Sequence, residues 1–412
     1  MSTSKPTRRN STRQRPPAAG QPAAISVETP ATTPAAPPAE HTSLAQAQRN
    51  FKRGLKRADQ LQLAHEVSVT QGPTLVGAYT NLLSVGSGYR TRRNADTGVP
   101  ALQREPCVSF LVRRKWPTAG RPGHPQALPK HLLAFANVNG QRLLCAVPTD
   151  VRPRSDYGKP VPHDGGESFP FGILVRQAQA DSYSAGVATC AVHRPAQPGT
   201  SYVLSCRHVL SWPAVDLSQN LAPRPVRLSR APHSPLGKST AVRGPLDAGL
   251  VAGFDAQLAA VEQPAALRDA LGGLVFDSAT SYLHEPGELD KDGGFYVATG
   301  RLGADGRRLL VWVNYEDTVT DFEMPYTRAD GSKVVVRHDL VLFGVPAAPL
   351  IFGDSGAPAV RLRRGQQLVG MYIGGEDGRA FVIPAWQLMH PANYGLPAEA
   401  QWSLAPAGLV TG

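Results

Sequence analysis

The chain has 412 residues, is 42% hydrophobic and 18% charged, and carries a formal net charge of +11. That length exceeds one typical domain and leaves room for two cores with appendages. Four cysteines (Cys107, Cys145, Cys190 and Cys206), none in a C-x-x-C pair, exclude a disulfide scaffold and give no zinc signature.

The charge is uneven. Residues 1–67 hold ten Lys/Arg against four Asp/Glu, so six of the eleven positive charges belong to the N-terminal sixth. Contact with an anionic surface is therefore a question about this end of the chain, and a weak one, while the body is only mildly basic. The longest apolar run, Leu340 to Phe352, contains Pro346 and Pro349. It falls short of the roughly 18–20 residues that cross a bilayer. The first residues lack the apolar core of a secretory signal. These features predict a soluble, cytoplasmic protein without membrane span, metal or cofactor; they leave the oligomeric state open.

Residues 1–43 are Pro, Ala, Thr, Ser and Arg with almost no large apolar side chain. Such a segment cannot bury enough surface to offset its ordering entropy, which predicts disorder. From 44 to 67, Leu44, Ala47, Phe51, Leu55, Ala58 and Leu61 recur at helical spacing among Arg49, Lys52, Arg53, Lys56 and Arg57. This predicts a basic amphipathic helix that docks on its own protein.

Residues 75–155 read as a small α/β unit. Leu82 to Thr91 and Cys107 to Arg113 are strand-like, joined by a polar loop with Asp96 and Gly98. A short helix near Leu128 to Ala136 and a strand from Gln141 to Val147 complete it. Residues 152–168, rich in Pro, Gly and charge, form a linker. From about 170 to 395 short β-runs alternate with Pro/Gly turns, predicting a sandwich or barrel. The runs include Val187 to His193 and Ser201 to Val209, joined as a hairpin, and Leu246 to Ala252. Gly294 to Thr299, Arg308 to Val313, Lys333 to Phe343, Ala357 to Leu362, Gln367 to Ile373 and Ala380 to Ile383 follow. Residues 263–293 separate two such units, and 396–412 form a C-terminal tail.

Three segments carry chemistry. In Phe352-Gly353-Asp354-Ser355-Gly356-Ala357-Pro358 a serine stands between glycines in a tight turn, where consecutive amides can form an anion-binding nest. A serine hydroxyl needs a base to take its proton and a third group to fix that base's tautomer. Leu204-Ser205-Cys206-Arg207-His208-Val209 offers an imidazole at a strand end, and Leu246-Asp247-Ala248-Gly249-Leu250-Val251 offers an acid entering an apolar strand.

The order His208, Asp247, Ser355, with these contexts, resembles a trypsin-like (chymotrypsin-fold) serine peptidase of the bacterial or intracellular type. Ser87-Gly88-Tyr89-Arg90-Thr91 and Ser109-Phe110-Leu111-Val112-Arg113-Arg114-Lys115 resemble, more weakly, the N-terminal region of some such proteins. The resemblance implies a mainly β fold, two barrels forming the peptidase domain over 170–395, preceded by the small α/β domain and the disordered tail. It implies a serine endopeptidase acting on polypeptides, with Ser355 as nucleophile, His208 as general base and Asp247 as orienting carboxylate. The N–H groups of Gly353 and Ser355 would form the oxyanion hole. Pro349, Gly374 and Gly375 would line a pocket without an acid, implying a neutral, small or apolar P1 side chain. The alternative is a catalytically latent fold of this kind serving as a protein-binding or scaffold module.

Departures from the family pattern are several. Ala357 replaces a glycine, so its φ must be negative. Arg207 precedes the histidine, and strand alternation would turn it to the other face. The serine that braces the aspartate in many relatives would fall near Ile373, and Asp354 has no evident partner. Cys190 and Cys206, symmetric about the hairpin centre, are expected as two reduced buried thiols. An α/β-hydrolase elbow, whose acid and histidine would be Asp377 and His390, must run into a helix, whereas Pro358 and the Arg363-Arg364-Gly365 turn after the serine read as a hairpin. A P-loop at Pro235-Leu236-Gly237-Lys238-Ser239 lacks its first glycine.

Overall fold

The computed structural model describes residues 42–93, 100–113, 127–153, 169–176, 183–194, 199–211, 222–243, 254–289, 293–327, 333–346, 350–351, 353–362, 366–376, 378–394, 396–397 and 402–405. The tail over 1–41, the loop with Asp96 and Gly98, most of the linker, Asp247 and Pro349 lie outside these residues.

The described protein is mainly β with an N-terminal α/β region, built on two sheets. It opens with α1 (Leu44–Arg49), a π turn over Asn50–Gly54 and α2 (Arg57–Ala78). The basic helix read from the periodicity is thus two helices with a break, because Lys56 takes an extended conformation before α2 begins. The second helix runs eleven residues beyond Val67 and tolerates Pro73 inside it. Phe51, Leu55, Leu63, Ala64 and Val67 bury their side chains against Val85, Phe110 and Val147. The apolar face therefore docks on the protein's own sheet while the lysines and arginines stay outside.

The first sheet has ten strands: β1 (Leu82–Arg93), β2 (Pro100–Val112), β3 (His131–Val138), β4 (Gln141–Pro153), β12 (Phe295–Leu302), β13 (Arg308–Thr327), β14 (Lys333–Gly344), β15 (Pro358–Arg361), β16 (Gln367–Glu376) and β17 (Arg379–Pro384). Residues 131–138 form β3 instead of the expected helix. Leu132 and Ala134 are less exposed than Leu133 and Phe135, the period-two alternation of an edge strand. The second sheet orders β18 (Ser403–Leu404), β7 (Cys190–His193), β8 (Ser201–Cys206), β11 (Ala256–Val261), β10 (Pro235–Arg243), β9 (Pro225–Leu228), β5 (Gly172–Arg176) and β6 (Tyr183–Val187).

The expectation of two closed barrels is corrected by these orders. The second sheet runs open from β18 to β6. In the first, β12 bonds both β15 and β13, and the sheet then continues outward through β1, β2, β4 and β3. Short strands at regular spacing fix the β class but not closure, which depends on which edges find partners.

The front unit joins the body at β1 and β13, whose antiparallel register pairs Gly86 with Val319 and Gly88 with Asp317. The backbones approach too closely for a side chain at either glycine. A Cβ on Gly88 would lie 2.4 Å from the Glu316 carbonyl oxygen and 2.6 Å from Asp317 Oδ1. A buried polar cluster seals the same seam: Arg152 Nη1 donates to Asp317 Oδ2 at 3.0 Å, and Ser109 Oγ to the same oxygen at 2.6 Å. Burial pushes Asp317 up, with Arg152 and the Ser109 hydrogen bond acting against it.

This junction predicts opposite outcomes for two Gly→Ala changes. Gly88→Ala should destabilise the protein by about 1–3 kcal/mol through overpacking. Gly77→Ala, in α2 where an added Cβ meets nothing within 4 Å, should gain about 0.5–1 kcal/mol. Urea unfolding of both variants checks this, and a silent Gly88→Ala would contradict the close approach.

Candidate functional site

Strand β8 delivers the chain to the site. It does not continue to Val209 as a strand; after Cys206 it turns into the four-residue helix α3 (Arg207–Leu210). His208 thus sits in a helical turn, and Arg207 is fully buried instead of alternating to an outer face. On the neighbouring strand, Ala256 of β11 pairs with Cys206 of β8. That register sets Asp255, one residue before Ala256, beside the residues that follow Cys206.

The Asp255 side chain engages His208 with both oxygens. The His208 backbone N–H donates to Oδ1 at 2.9 Å, and ring Nδ1 lies 2.5 Å from Oδ2. The Arg207 backbone N–H donates to the Asp255 carbonyl at 3.3 Å. The Asp255 side chain is 1% exposed and that of His208 20% exposed. Burial alone would push Asp255 up. The charge and ring hydrogen bond of His208, the charge of His338 and the His208 backbone N–H outweigh it and hold the carboxyl below its ordinary range. The carboxylate therefore stays ionised at neutral pH, fixes the imidazole's tautomer and leaves Nε2 as the acceptor.

Cys206 completes the cluster. One donor atom each from Cys206, His208 and Asp255 lie within 4.8 Å of one another. The cluster is of the cysteine, not the serine, type, and it overturns the serine-peptidase reading built on His208, Asp247 and Ser355. The carboxylate on His208 belongs to Asp255. The Cys206 thiol is fully buried, hydrogen-bonds the Tyr372 carbonyl oxygen at 3.4 Å, and is pushed well above its ordinary range, chiefly by burial and further by the Asp255 charge. All four cysteines are buried and free; Cys190 pairs with Leu204, not with Cys206.

Three donors of these types could in principle hold a metal ion. Two ligands of one tetrahedral ion at bonds of about 2.0 Å stand about 3.3 Å apart. At 2.5 Å, Nδ1 and Oδ2 are instead the two ends of a hydrogen bond.

The turn at 353–356 lies against the same end of β8. Val187 N–H donates to the Ser355 carbonyl at 2.8 Å, Thr189 Oγ1 to the Gly356 carbonyl at 2.7 Å, and Ser205 Oγ to the Val187 carbonyl at 2.7 Å. Gly356 has φ +91°, and a Cβ there would fall 2.1 Å from the Val187 oxygen, so only glycine fits. Gly353 has φ +98°, whereas Ala357 keeps a φ outside the positive region, as its side chain requires. The N–H groups of Asp354, Gly356 and Ala357 donate to Ile351, Tyr372 and Asp354 carbonyls. Those of Gly353 and Ser355 have no backbone acceptor among the described residues.

The partner of Asp354, absent from the sequence reading, is Arg301 on β12: Nη2 donates to Oδ2 at 2.9 Å, and Ile351 N–H donates to the same oxygen at 3.1 Å. The pair ties the turn to the first sheet. Gly374 and Gly375 lie half-buried on β16, opposite Phe381 and Ala380 of β17.

Asp255 was missed because two acids precede apolar runs here. Phe254-Asp255-Ala256-Gln257-Leu258 has the same acid-into-strand pattern as Asp247-Ala248-Gly249-Leu250. Choosing between them needs the β8–β11 register, which one sequence does not display.

No family model matches the chain, and no curated protein matches it. Among solved structures it has a weak, distant similarity to several proteases. The active form of the Rv3671c protease from M. tuberculosis is 15% identical at a TM-score of 0.32, over 61% of this chain and 93% of that one. The NS6 protease from murine norovirus 1 is 12% identical at 0.23, over 44% and 80%. The tobacco etch virus protease complexed with product is 11% identical at 0.24, over 60% and 85%. Likenesses at TM-scores this low carry no fold, family or activity over to this chain. Among the described residues, no helix is long and apolar enough to cross a membrane.

The depressed Asp255 carboxyl predicts a pH-dependent stability. Its contribution is fully present above the unfolded value of about 3.9 and is lost as pH falls through the lower folded value. The melting temperature of Asp255→Asn should therefore lie below that of the wild type at pH 6, the gap closing under acid. A gap that widens on acidification would contradict the assignment.

Proposed function

We propose that the chain is an acyl-transfer hydrolase, cleaving an amide or ester, whose acid–base centre is His208 oriented by Asp255. The observation that carries this reading is the two-point grip of one buried carboxylate on the histidine, at 2.9 Å through the backbone and 2.5 Å through the ring. A histidine held this way accepts a proton at Nε2 from a nucleophile and returns it to the leaving group, while the carboxylate steadies the imidazolium formed between the two events.

The nucleophile-bearing side chain within the cluster is Cys206. Burial holds its thiol protonated, so attack through sulfur requires His208 to take the proton as the acyl group arrives. The N–H groups of Gly353 and Ser355, without a backbone acceptor among the described residues, would receive the developing oxyanion. Gly374 and Gly375, lacking side chains, would leave room for the acyl substituent, and polypeptides are within the substrate class.

Turnover of a panel of activated esters and fluorogenic peptides tests the reading. His208→Ala should lower kcat/KM by about 10²–10⁴, the usual worth of general acid–base catalysis, and Asp255→Asn should follow it. Loss of turnover in folded Cys206→Ala assigns the thiol as nucleophile; retained turnover removes the thiol from the mechanism and leaves the acid–base pair. A His208→Ala variant as active as the wild type would overturn the proposal.

A further inference from the structure

We propose that Thr189 is a positioning residue for the oxyanion site, the far end of a relay of peptide units that aims the Ser355 N–H; the proposal rests on the reading of that N–H as a donor to the oxyanion. A peptide unit is planar and trans, so holding its carbonyl also aims the N–H on its opposite side. The Gly356 carbonyl accepts from Thr189 Oγ1 at 2.7 Å, which sets the unit joining Gly356 to Ala357. The N–H of that unit, on Ala357, donates to the Asp354 carbonyl at 2.9 Å. The Asp354 carbonyl in turn belongs to the unit whose N–H is that of Ser355. Two hydrogen bonds thus lead from a threonine hydroxyl to an N–H that has no backbone acceptor among the described residues.

The surroundings stiffen this relay. The other peptide unit of Ser355 is held at both ends, its carbonyl by the Val187 N–H and its N–H, on Gly356, by the Tyr372 carbonyl, each at 2.8 Å. Ser355 therefore stands between two fixed planes. Thr189 is itself pinned to β8, its N–H donating at 2.8 Å to the carbonyl of Leu204, which precedes His208 on the chain. The strand that delivers the histidine thus also sets the distant turn that carries the N–H. Gly356 makes room for this, since a Cβ there would strike the Val187 carbonyl. A threonine has one hydroxyl proton to give, and at 2.7 Å it goes to the Gly356 carbonyl. Thr189 and its neighbours Ala188 and Cys190 are all fully buried, so the side chain does not meet a substrate and acts through the turn.

Thr189→Val keeps the shape of the side chain and removes its donor, leaving the Gly356 carbonyl without that partner. The test pairs amide NMR of wild type, Thr189→Val and Thr189→Ser with their steady-state kinetics. In Thr189→Val the Ala357 amide should exchange with solvent faster and the Ser355 amide signal should shift. Its kcat should fall about 10–10²-fold, short of the roughly 10²–10³ that losing a donor outright costs, with KM little changed. Thr189→Ser should restore both the signals and kcat, which a space-filling role would not produce, since valine fills the site better than serine. Unmoved Ser355 and Ala357 amides in folded Thr189→Val overturn the proposal, and so do moved amides with kcat intact. Should that variant fail to fold, the wild type carries the test: the Thr189 hydroxyl proton must exchange slowly with water and couple to the Gly356 carbonyl carbon, and a hydroxyl without that coupling overturns the proposal. Absence of turnover in the wild type would sink the oxyanion reading alone, since the amide signals report the relay without it.

Discussion

One buried carboxylate organises the site. Asp255 is nearly excluded from solvent, and an ionised carboxylate in that position is tolerable only when donors surround it. His208 meets that requirement with its ring and its backbone, and the backbone contact is possible because the chain leaves β8 and turns into α3 at Arg207. The same interaction that permits the burial fixes which nitrogen of the imidazole faces outward. Local structure, electrostatics and chemistry are here a single constraint.

The two sheets meet at this point. Strand β8 and strand β11 belong to one sheet, and β15, which follows the turn at 353–356, and β14 belong to the other. The junction is stitched by short polar contacts: Val187 to Ser355, Thr189 to Gly356, and both Gly356 N–H and the Cys206 thiol on the Tyr372 carbonyl. Arg301 holds Asp354 from the side of the first sheet. The front unit adds four strands to that same sheet through the glycine-permitted approach of β1 to β13.

Much of the strand content was legible because turn chemistry and period-two burial are local properties. Lys333 to Phe343 matches β14 to within one residue, and Gly294 to Thr299 overlaps β12, which starts one residue later and runs on to Leu302. The edge strand at His131–Val138 was misread as a helix, since a short apolar run serves either period, although the Asn139-Gly140 turn that joins it to β4, with both φ positive, is a hairpin signal. The site was half legible. His208 stood out by its setting, but its carboxylate did not, because Asp247 and Asp255 offer the same local pattern and only the pairing of Ala256 with Cys206 separates them. Arg301 was invisible for the same reason: it reaches Asp354 through tertiary structure, 53 residues away in the chain.

The central claim is that Asp255, and not Asp247, holds the ring of His208. The ring proton shared between Nδ1 and Oδ2 should give a resonance far downfield of the amide region in wild type and in Asp247→Asn, and none in Asp255→Asn. A downfield proton that survives Asp255→Asn and disappears in Asp247→Asn would contradict the account.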